Sequence, residues 1–116
     1  MRQQASEQAP NRWDAMGRVE YVIPLGDNAR KRHFHDTAWG TVIAFVVQLE
    51  VLLEGDWFPV VRYDSKHGFA HVDWITRSGE TQKQLLPLPF AEALTHADKD
   101  ILDHWRDYQL HFYQGD

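Results

Sequence analysis

Apolar and polar residues alternate along several segments between residues 17 and 86, which is the pattern of β-strands that bury one face. The clearest segment covers residues 38–54, where every second position from Trp39 to Leu53 lies on one largely apolar face. Because a strand of this length is unusual, we predict a bend or bulge near Gly40. Further strands are predicted over residues 17–25, 57–64, 69–77 and 80–86, and residues 30–35 form a basic loop or the start of a strand.

The period changes after the two prolines at positions 87 and 89, where apolar residues begin to recur three or four positions apart. This spacing predicts an amphipathic helix. We predict a short turn over residues 89–94 and a helix over residues 96–112, with Thr95-x-x-Asp98 as its capping signal. The chain is therefore predicted to have an α+β fold: an antiparallel β-meander of about five strands with a C-terminal amphipathic helix packed on one face.

The turns predict how the strands pair. A two-residue turn at Gly55-Asp56 would place Arg62 and Asp64 on the apolar face of their strand. A four-residue loop over residues 65–68 would then place His71 opposite Arg62. A register slip of one residue would move all of these side chains to the other face, so their position depends on the turns.

Composition narrows the class of protein. The chain has 116 residues, 43% of them hydrophobic, and no cysteine, which is enough to bury a core without disulfides. We expect a flexible N-terminal tail over residues 1–11 and a single α+β domain over residues 12–116. Neither a signal peptide nor a membrane helix is expected, and the protein is predicted to be soluble and cytoplasmic.

The net charge of −5 is unevenly distributed, because residues 90–116 hold six acids and two bases, a net of −4. An acidic helix argues against broad coating of a nucleic acid but leaves room for a local basic patch. The candidate phosphate-binding residues are Arg30, Lys31, Arg32 and Lys66. The alternative for the basic triplet is a solvated turn between acidic neighbours.

Titratable residues are concentrated in residues 62–73, between two predicted strands. Histidines titrate near neutral pH, so His67 and His71 could transfer a proton while Arg62 stabilises a phosphate and Asp64 orients an imidazole. These four residues are the candidate catalytic residues. The alternative is structural: an ion pair of Arg62 with Asp64 or Asp73 that closes the end of the sheet.

The spacing of the histidines also bears on whether the chain binds a metal ion. His33 and His35 point the same way if they lie on a strand, and with His67 or His71 they could supply three metal ligands. Nothing in the spacing requires such a site, so no metal and no cofactor is expected.

Two parts of the chain resemble a small uncharacterised family of bacterial and phage proteins, over roughly residues 40–112. They are Trp57-x-Pro59-Val60-Val61-Arg62-Tyr63-Asp64-x-x-His67-Gly68-x-x-His71, and Ala93-Leu94-Thr95-x-Ala97-x-x-Asp100-Ile101 followed by Trp105-x-x-Tyr108. This resemblance implies a family but no activity.

A more distant resemblance is to TumE-type toxins of toxin–antitoxin pairs, which are small and β-rich and carry an Arg-Tyr-Asp strand followed by histidines. The matching residues are Arg62, Tyr63, Asp64, His67 and His71, whereas the later histidine-rich segment of the toxins is missing here. The resemblance implies an enzyme that acts on RNA.

Two functions from different classes follow. The first is a protein-binding or regulatory module of a bacterial or phage system, with a protein partner or a second copy of the chain bound through an exposed strand edge or the acidic helix surface of Asp98, Asp103 and Asp107. The alternative is a toxin-like, RNA-directed enzyme that uses metal-independent histidine acid/base chemistry at residues 62–73. Whether the protein is an enzyme is left open.

Overall fold

The computed structural model describes residues 15–115, which form one six-stranded antiparallel sheet and one long helix. The strands are β1 (Met16–Gly26), β2 (Ala29–Ala38), β3 (Thr41–Leu53), β4 (Asp56–Asp64), β5 (His71–Ile75) and β6 (Thr81–Leu85), and the helix is α1 (Phe90–Tyr113). Each strand pairs with the next along the chain. The predicted α+β meander with a C-terminal helix is confirmed, with six strands instead of about five. The predicted tail, residues 1–11, lies outside the described residues.

The predicted long strand is interrupted at Trp39-Gly40. Both residues have left-handed backbone angles, with φ of 52° and 78°, so the chain reverses there and β3 begins at Thr41. The expected irregularity near Gly40 is therefore a hairpin turn and not a bend. Trp39 lies at the tip of the β2–β3 hairpin with 69% of its surface exposed, so it does not belong to the core face.

The β3–β4 turn differs from the prediction by one residue. Leu53 pairs with Asp56, so the turn residues are Glu54 and Gly55, whose φ angles of 52° and 87° suit the twist of a tight hairpin. A bulge at Val60, next to Pro59, then shifts the register once more.

The combined shift places Gln48 opposite Arg62 and Val46 opposite Asp64. The prediction that Arg62 and Asp64 lie on the apolar face is therefore wrong, because side chains alternate between faces and the observed register is one residue off.

The β4–β5 connection is also longer than predicted. Asp64 pairs with His71 and Arg62 pairs with Asp73, so six residues separate the strands instead of four. One 3₁₀ turn, Lys66–Gly68, occupies the middle of this connection.

The sheet has two unlike faces. The helix face carries the core residues of β3, β4 and β5, and α1 packs against it. Ala93, Ala97 and Ile101 of α1 are completely buried, and the small alanines let the helix approach the strands closely. The open face is the opposite side of the sheet, and no helix of the described residues covers it. Buried core residues of the helix face are Phe45, Val47, Leu49, Val51, Val61 and Val72.

The helix is continuous from Phe90, so the predicted separate turn over residues 89–94 is wrong. Pro89 caps the helix without a side-chain bond, and the Thr95 hydroxyl donates to the Ala91 carbonyl inside the helix instead of capping it. The helix begins earlier because the Phe90 ring packs against Phe45, with centroids 5.8 Å apart. Within residues 15–115, no helix combines the length and apolar character needed to cross a bilayer.

Neighbouring positions on α1 provide a test of this packing. Ile101→Ala is expected to lower the free energy of unfolding by about 2–5 kcal/mol, because it removes a fully buried side chain between helix and sheet. Leu102→Ala, at a position 48% exposed, should change it by less than about 0.5 kcal/mol. Urea unfolding at one protein concentration measures both. Equal effects of the two changes would contradict the described helix orientation.

Candidate functional site

Two of the four candidate catalytic residues meet on the open face, at the β4–β5 pair. Asp64 and His71 are direct cross-strand partners, and Asp73 lies two positions beyond His71. One ligand atom from each of these three residues lies within 4.8 Å of the others. All three side chains are buried, although no helix in the part of the chain that the structure describes lies over this face. The structure thus brings together two carboxylates and one imidazole.

His71 is held by several neighbours. Its Nε2 atom lies 2.7 Å from Asp64 Oδ1, and its Nδ1 atom lies 3.4 Å from the Phe69 carbonyl oxygen. The Phe69 ring packs at a tilt against the His71 imidazole, with ring centroids 6.1 Å apart. Only 1% of the His71 surface is exposed, so a substrate in solution does not reach this ring.

His67 does not join the cluster. It lies exposed on the 3₁₀ turn, with a left-handed φ of 71°. The pair of histidines predicted to share proton transfer is therefore split between a buried strand position and an exposed turn. Lys66, predicted to bind phosphate, contributes its backbone N–H, which donates to Asp64 Oδ1 at 3.0 Å.

Arg62 lies on the same face but makes neither of the ion pairs suggested by the sequence. Its Nε atom donates to Gln48 Oε1 at 2.6 Å. Asp64 contacts His71 instead, and Asp73 accepts from Lys83 Nζ at 2.8 Å. Arg62 is the strand partner of Asp73, but its side chain contacts the next group of polar residues across the sheet.

That neighbouring group is built around Glu50. Its carboxylate accepts from Arg30 at 2.6 Å, from Arg32 at 2.9 Å and from the Gln48 amide at 2.6 Å. Burial alone would raise the pKa of Glu50, but these three donors outweigh it and hold that pKa below its ordinary value. Arg30 also stacks over Trp57, 4.0 Å from the ring centroid. Two of the predicted phosphate-binding arginines are thus already engaged with a buried carboxylate.

Lys31 does not belong to this surface, because consecutive strand residues point to opposite faces. Its side chain is buried on the helix face and its Nζ atom lies 2.8 Å from Asp98 Oδ1. The prediction of one basic patch formed by Arg30, Lys31 and Arg32 therefore does not hold geometrically. Asp98, predicted to belong to an exposed acidic surface, is turned toward the sheet.

His33 and His35 extend the Lys31–Asp98 contact. His33 Nδ1 lies 3.4 Å from Asp98 Oδ1, and His33 Nε2 lies 2.7 Å from His35 Nδ1. The Tyr21 ring stacks on His33, with centroids 4.6 Å apart. Burial lowers the pKa of His33, against the opposing influence of Asp98. The three-histidine metal site suggested by the sequence is not formed, because these two histidines lie on the helix face and His71 lies on the open face.

A third polar cluster was not predicted from the sequence. The Asp100 carboxylate on α1 accepts from the Tyr63 and Tyr108 hydroxyls, each at 2.7 Å. Burial and these hydrogen bonds raise the pKa of both tyrosines. The sequence signal was an acid directly beside Ile101 on the apolar stripe. The cluster links the helix to β4 of the sheet through Tyr63.

The edge strand β1 exposes several apolar side chains. Tyr21 is 38% exposed, and Val19 and Val22 are each 42% exposed. The long strand β3 offers no edge, because it lies between β2 and β4. Of the three acidic residues expected at the helix surface, Asp103 and Asp107 are exposed, and Asp103 pairs with Lys99.

The lowered pKa of His33 has a consequence for stability. Since the unfolded chain binds a proton at His33 at higher pH than the folded chain does, folding stability falls as the pH decreases below about 6.5. His33→Gln should therefore reduce the loss of unfolding free energy between about pH 7.5 and about pH 5.5. Urea unfolding at both pH values measures this difference. The control is His67→Gln, at an exposed position, which should leave the wild-type loss unchanged; equal slopes for wild type and His33→Gln would contradict the assignment.

Comparison with known proteins gives one match. A family model described as a domain of unknown function, DUF7718, matches residues 16–116. No curated protein and no solved structure matches the chain. The resemblance to TumE-type toxins and the bacterial or phage origin remain predictions. Since the model covers all six strands and the helix, the chain belongs to DUF7718, a family defined by its sequence and not yet by an activity.

Proposed function

We propose that this domain is a protein-binding module that pairs through the β1 edge, and that its partner there is a second copy of the chain. The observation that carries the proposal is the exposure of β1. An edge strand has a row of backbone groups without a partner in the sheet, and such a row pairs readily with another strand.

The two edges of the sheet are not equivalent. β6 is five residues long, and four of them are polar. β1 is eleven residues long, and its apolar residues are on both faces. Protective features that block edge pairing are confined to one end of β1, where Pro24 lacks an N–H and a bulge precedes Gly26. Residues 16–23 are regular, and no second strand of residues 15–115 pairs with their outer edge.

One register of a two-fold antiparallel pair fits the side chains of β1. If Val19 faces Val19 of the second copy, then Arg18 faces Glu20 of the second copy on the open face, once on each side of the axis. On the helix face, Gly17 faces Tyr21 of the second copy, and the missing side chain leaves room for the ring. Registers centred closer to Pro24 would lose both the charge match and backbone hydrogen bonds.

Arg18 already accommodates such a pairing. It forms a bidentate contact with Asp36 of β2, at 2.8 Å and 3.0 Å, and remains largely exposed. The nearby Asp36 carboxylate raises the pKa of Arg18, and the guanidinium lowers the pKa of Asp36. A second carboxylate from Glu20 of the other copy would approach a guanidinium that is already held in place.

The RNA-directed alternative has less support from the geometry. A general acid or base must reach the proton it transfers, and His71 is almost completely buried. Arg30 and Arg32 both pair with the single Glu50 carboxylate, which offsets one of their two charges, so neither guanidinium is free of a partner when a phosphate approaches.

Charge reversal tests the dimer. Glu20→Arg places two like charges opposite each other twice, and Arg18→Glu does the same with the opposite sign, so each variant should dimerise about tenfold or more weakly than the wild type. Sedimentation velocity over a range of concentrations measures the dissociation constant.

A mixture of the two variants provides the decisive control. In a heterodimer of Glu20→Arg with Arg18→Glu, both charge pairs become complementary, so mixing should restore dimers that neither variant forms alone. A wild type that stays monomeric at every concentration, or a dimer that neither variant weakens, would contradict the proposal. Melting temperatures should show that both variants are folded.

A further inference from the structure

We infer that Asp64, His71 and Asp73 form a binding site for a divalent transition-metal ion, of the kind represented by Zn²⁺ or Mn²⁺. The three residues project from β4 and β5 toward one point on the open face. This site is separate from the β1 edge, and its existence does not depend on dimerisation.

The first argument is the hydrogen-bonding state of His71. The Phe69 carbonyl oxygen only accepts hydrogen bonds, so its contact with Nδ1 assigns the ring hydrogen to Nδ1. In the neutral ring, Nε2 then carries a lone pair. That lone pair lies next to the Asp64 carboxylate, which also only accepts.

The second argument is the direction of the contact between His71 and Asp64. Although Nε2 lies 2.7 Å from Asp64 Oδ1, the direction is not that of a hydrogen bond, and this buried atom has no hydrogen-bond partner within the described part of the chain. A buried polar atom without a partner is costly. A cation bound by Nε2 and the carboxylate would remove that cost, because both atoms are electron-pair donors.

The surroundings have the features of a metal site. A histidine ligand usually donates its other ring N–H to a backbone carbonyl, as Nδ1 does toward Phe69. Asp64 Oδ1 also accepts the Lys66 backbone N–H, which orients the carboxylate. Atoms bound to one ion at about 2.0–2.2 Å lie no more than about 4.4 Å apart, so ligand atoms that already lie within 4.8 Å of one another are close to that spacing. His71 Nε2 and Asp64 Oδ1, which are 2.7 Å apart, would separate slightly to admit the ion.

The ligand chemistry sets the class of ion. An imidazole favours Zn²⁺ and neighbouring transition metals, whereas carboxylates alone would favour Mg²⁺ or Ca²⁺. One imidazole with two carboxylates therefore selects a divalent transition metal. Two carboxylates also carry the charge needed to balance such an ion, and three protein ligands leave coordination positions for other groups.

The Lys83 ammonium group would compete with a metal ion for Asp73. Its Nζ atom lies 2.8 Å from Asp73 Oδ1, yet 54% of the side chain is exposed, so the ammonium group can move into water. Metal binding at this site requires that the Lys83 ammonium group move away from Asp73. The same contact also makes Lys83 a sensitive position for a test, because its charge opposes a cation without contributing a ligand.

Calorimetric titration of metal-free protein with Zn²⁺ alone is the test. The wild type is expected to bind one Zn²⁺ per chain at this site and to melt at higher temperature when loaded. Asp64→Asn and His71→Gln should lose that binding, whereas His67→Gln on the adjacent turn and His33→Gln on the helix face should retain it. No binding by the wild type, or binding that survives Asp64→Asn, would overturn the inference.

A variant with higher affinity distinguishes loss of the metal site from loss of folding, because an unfolded variant would not bind more tightly. Lys83→Gln removes the competing charge from an exposed position, and it should tighten Zn²⁺ binding about tenfold. A merely structural cluster would not respond in this way, so unchanged or weaker binding by Lys83→Gln would also overturn the inference, whatever the state of His71→Gln.

Discussion

The β3–β4 hairpin register is the constraint on which the rest of this structure depends. The left-handed residues Glu54 and Gly55 make the turn, and the bulge at Val60 adjusts the pairing beside Pro59. Because side chains alternate along a strand, this register decides which residues face α1. It sends Val61 and Tyr63 into the helix interface and Arg62 and Asp64 to the open face.

The two faces of the sheet are stabilised by different interactions. On the helix face, apolar packing is completed by acidic side chains of α1 that contact sheet residues: Asp98 contacts Lys31, and Asp100 accepts from Tyr63. These contacts fix the position of the helix along the sheet, since each joins a carboxyl group of α1 to a particular strand side chain. On the open face, Glu50 and the Asp64–His71–Asp73 cluster are buried, and no second layer formed by residues 15–115 lies above them. Burying carboxylates in this way is costly unless cations lie close by, which is why arginines, a lysine or a metal ion are found or inferred there.

The proposed roles depend on how much of the sheet α1 covers. The helix packs mainly on β3 and β4, so among residues 15–115 nothing covers the outer edge of β1 or the open face. The exposed edge is the basis of the proposed self-pairing, and the buried polar cluster is the basis of the inferred metal site. Both features arise from the same arrangement of one helix on a sheet wider than the helix.

The sequence alone determined the fold class, most strands and the apolar stripe of α1, because these follow from local periodicities of two and of three to four residues. It also indicated residues 62–73 as a place where titratable groups gather. Only the tertiary structure decided which of them meet. A turn shifted by one residue, a bulge and a longer loop moved Arg62, Asp64 and His71 to the other face, and they left His67 outside the cluster. Local patterns do not distinguish registers one residue apart, since that choice rests on turn geometry and on packing against distant residues of α1.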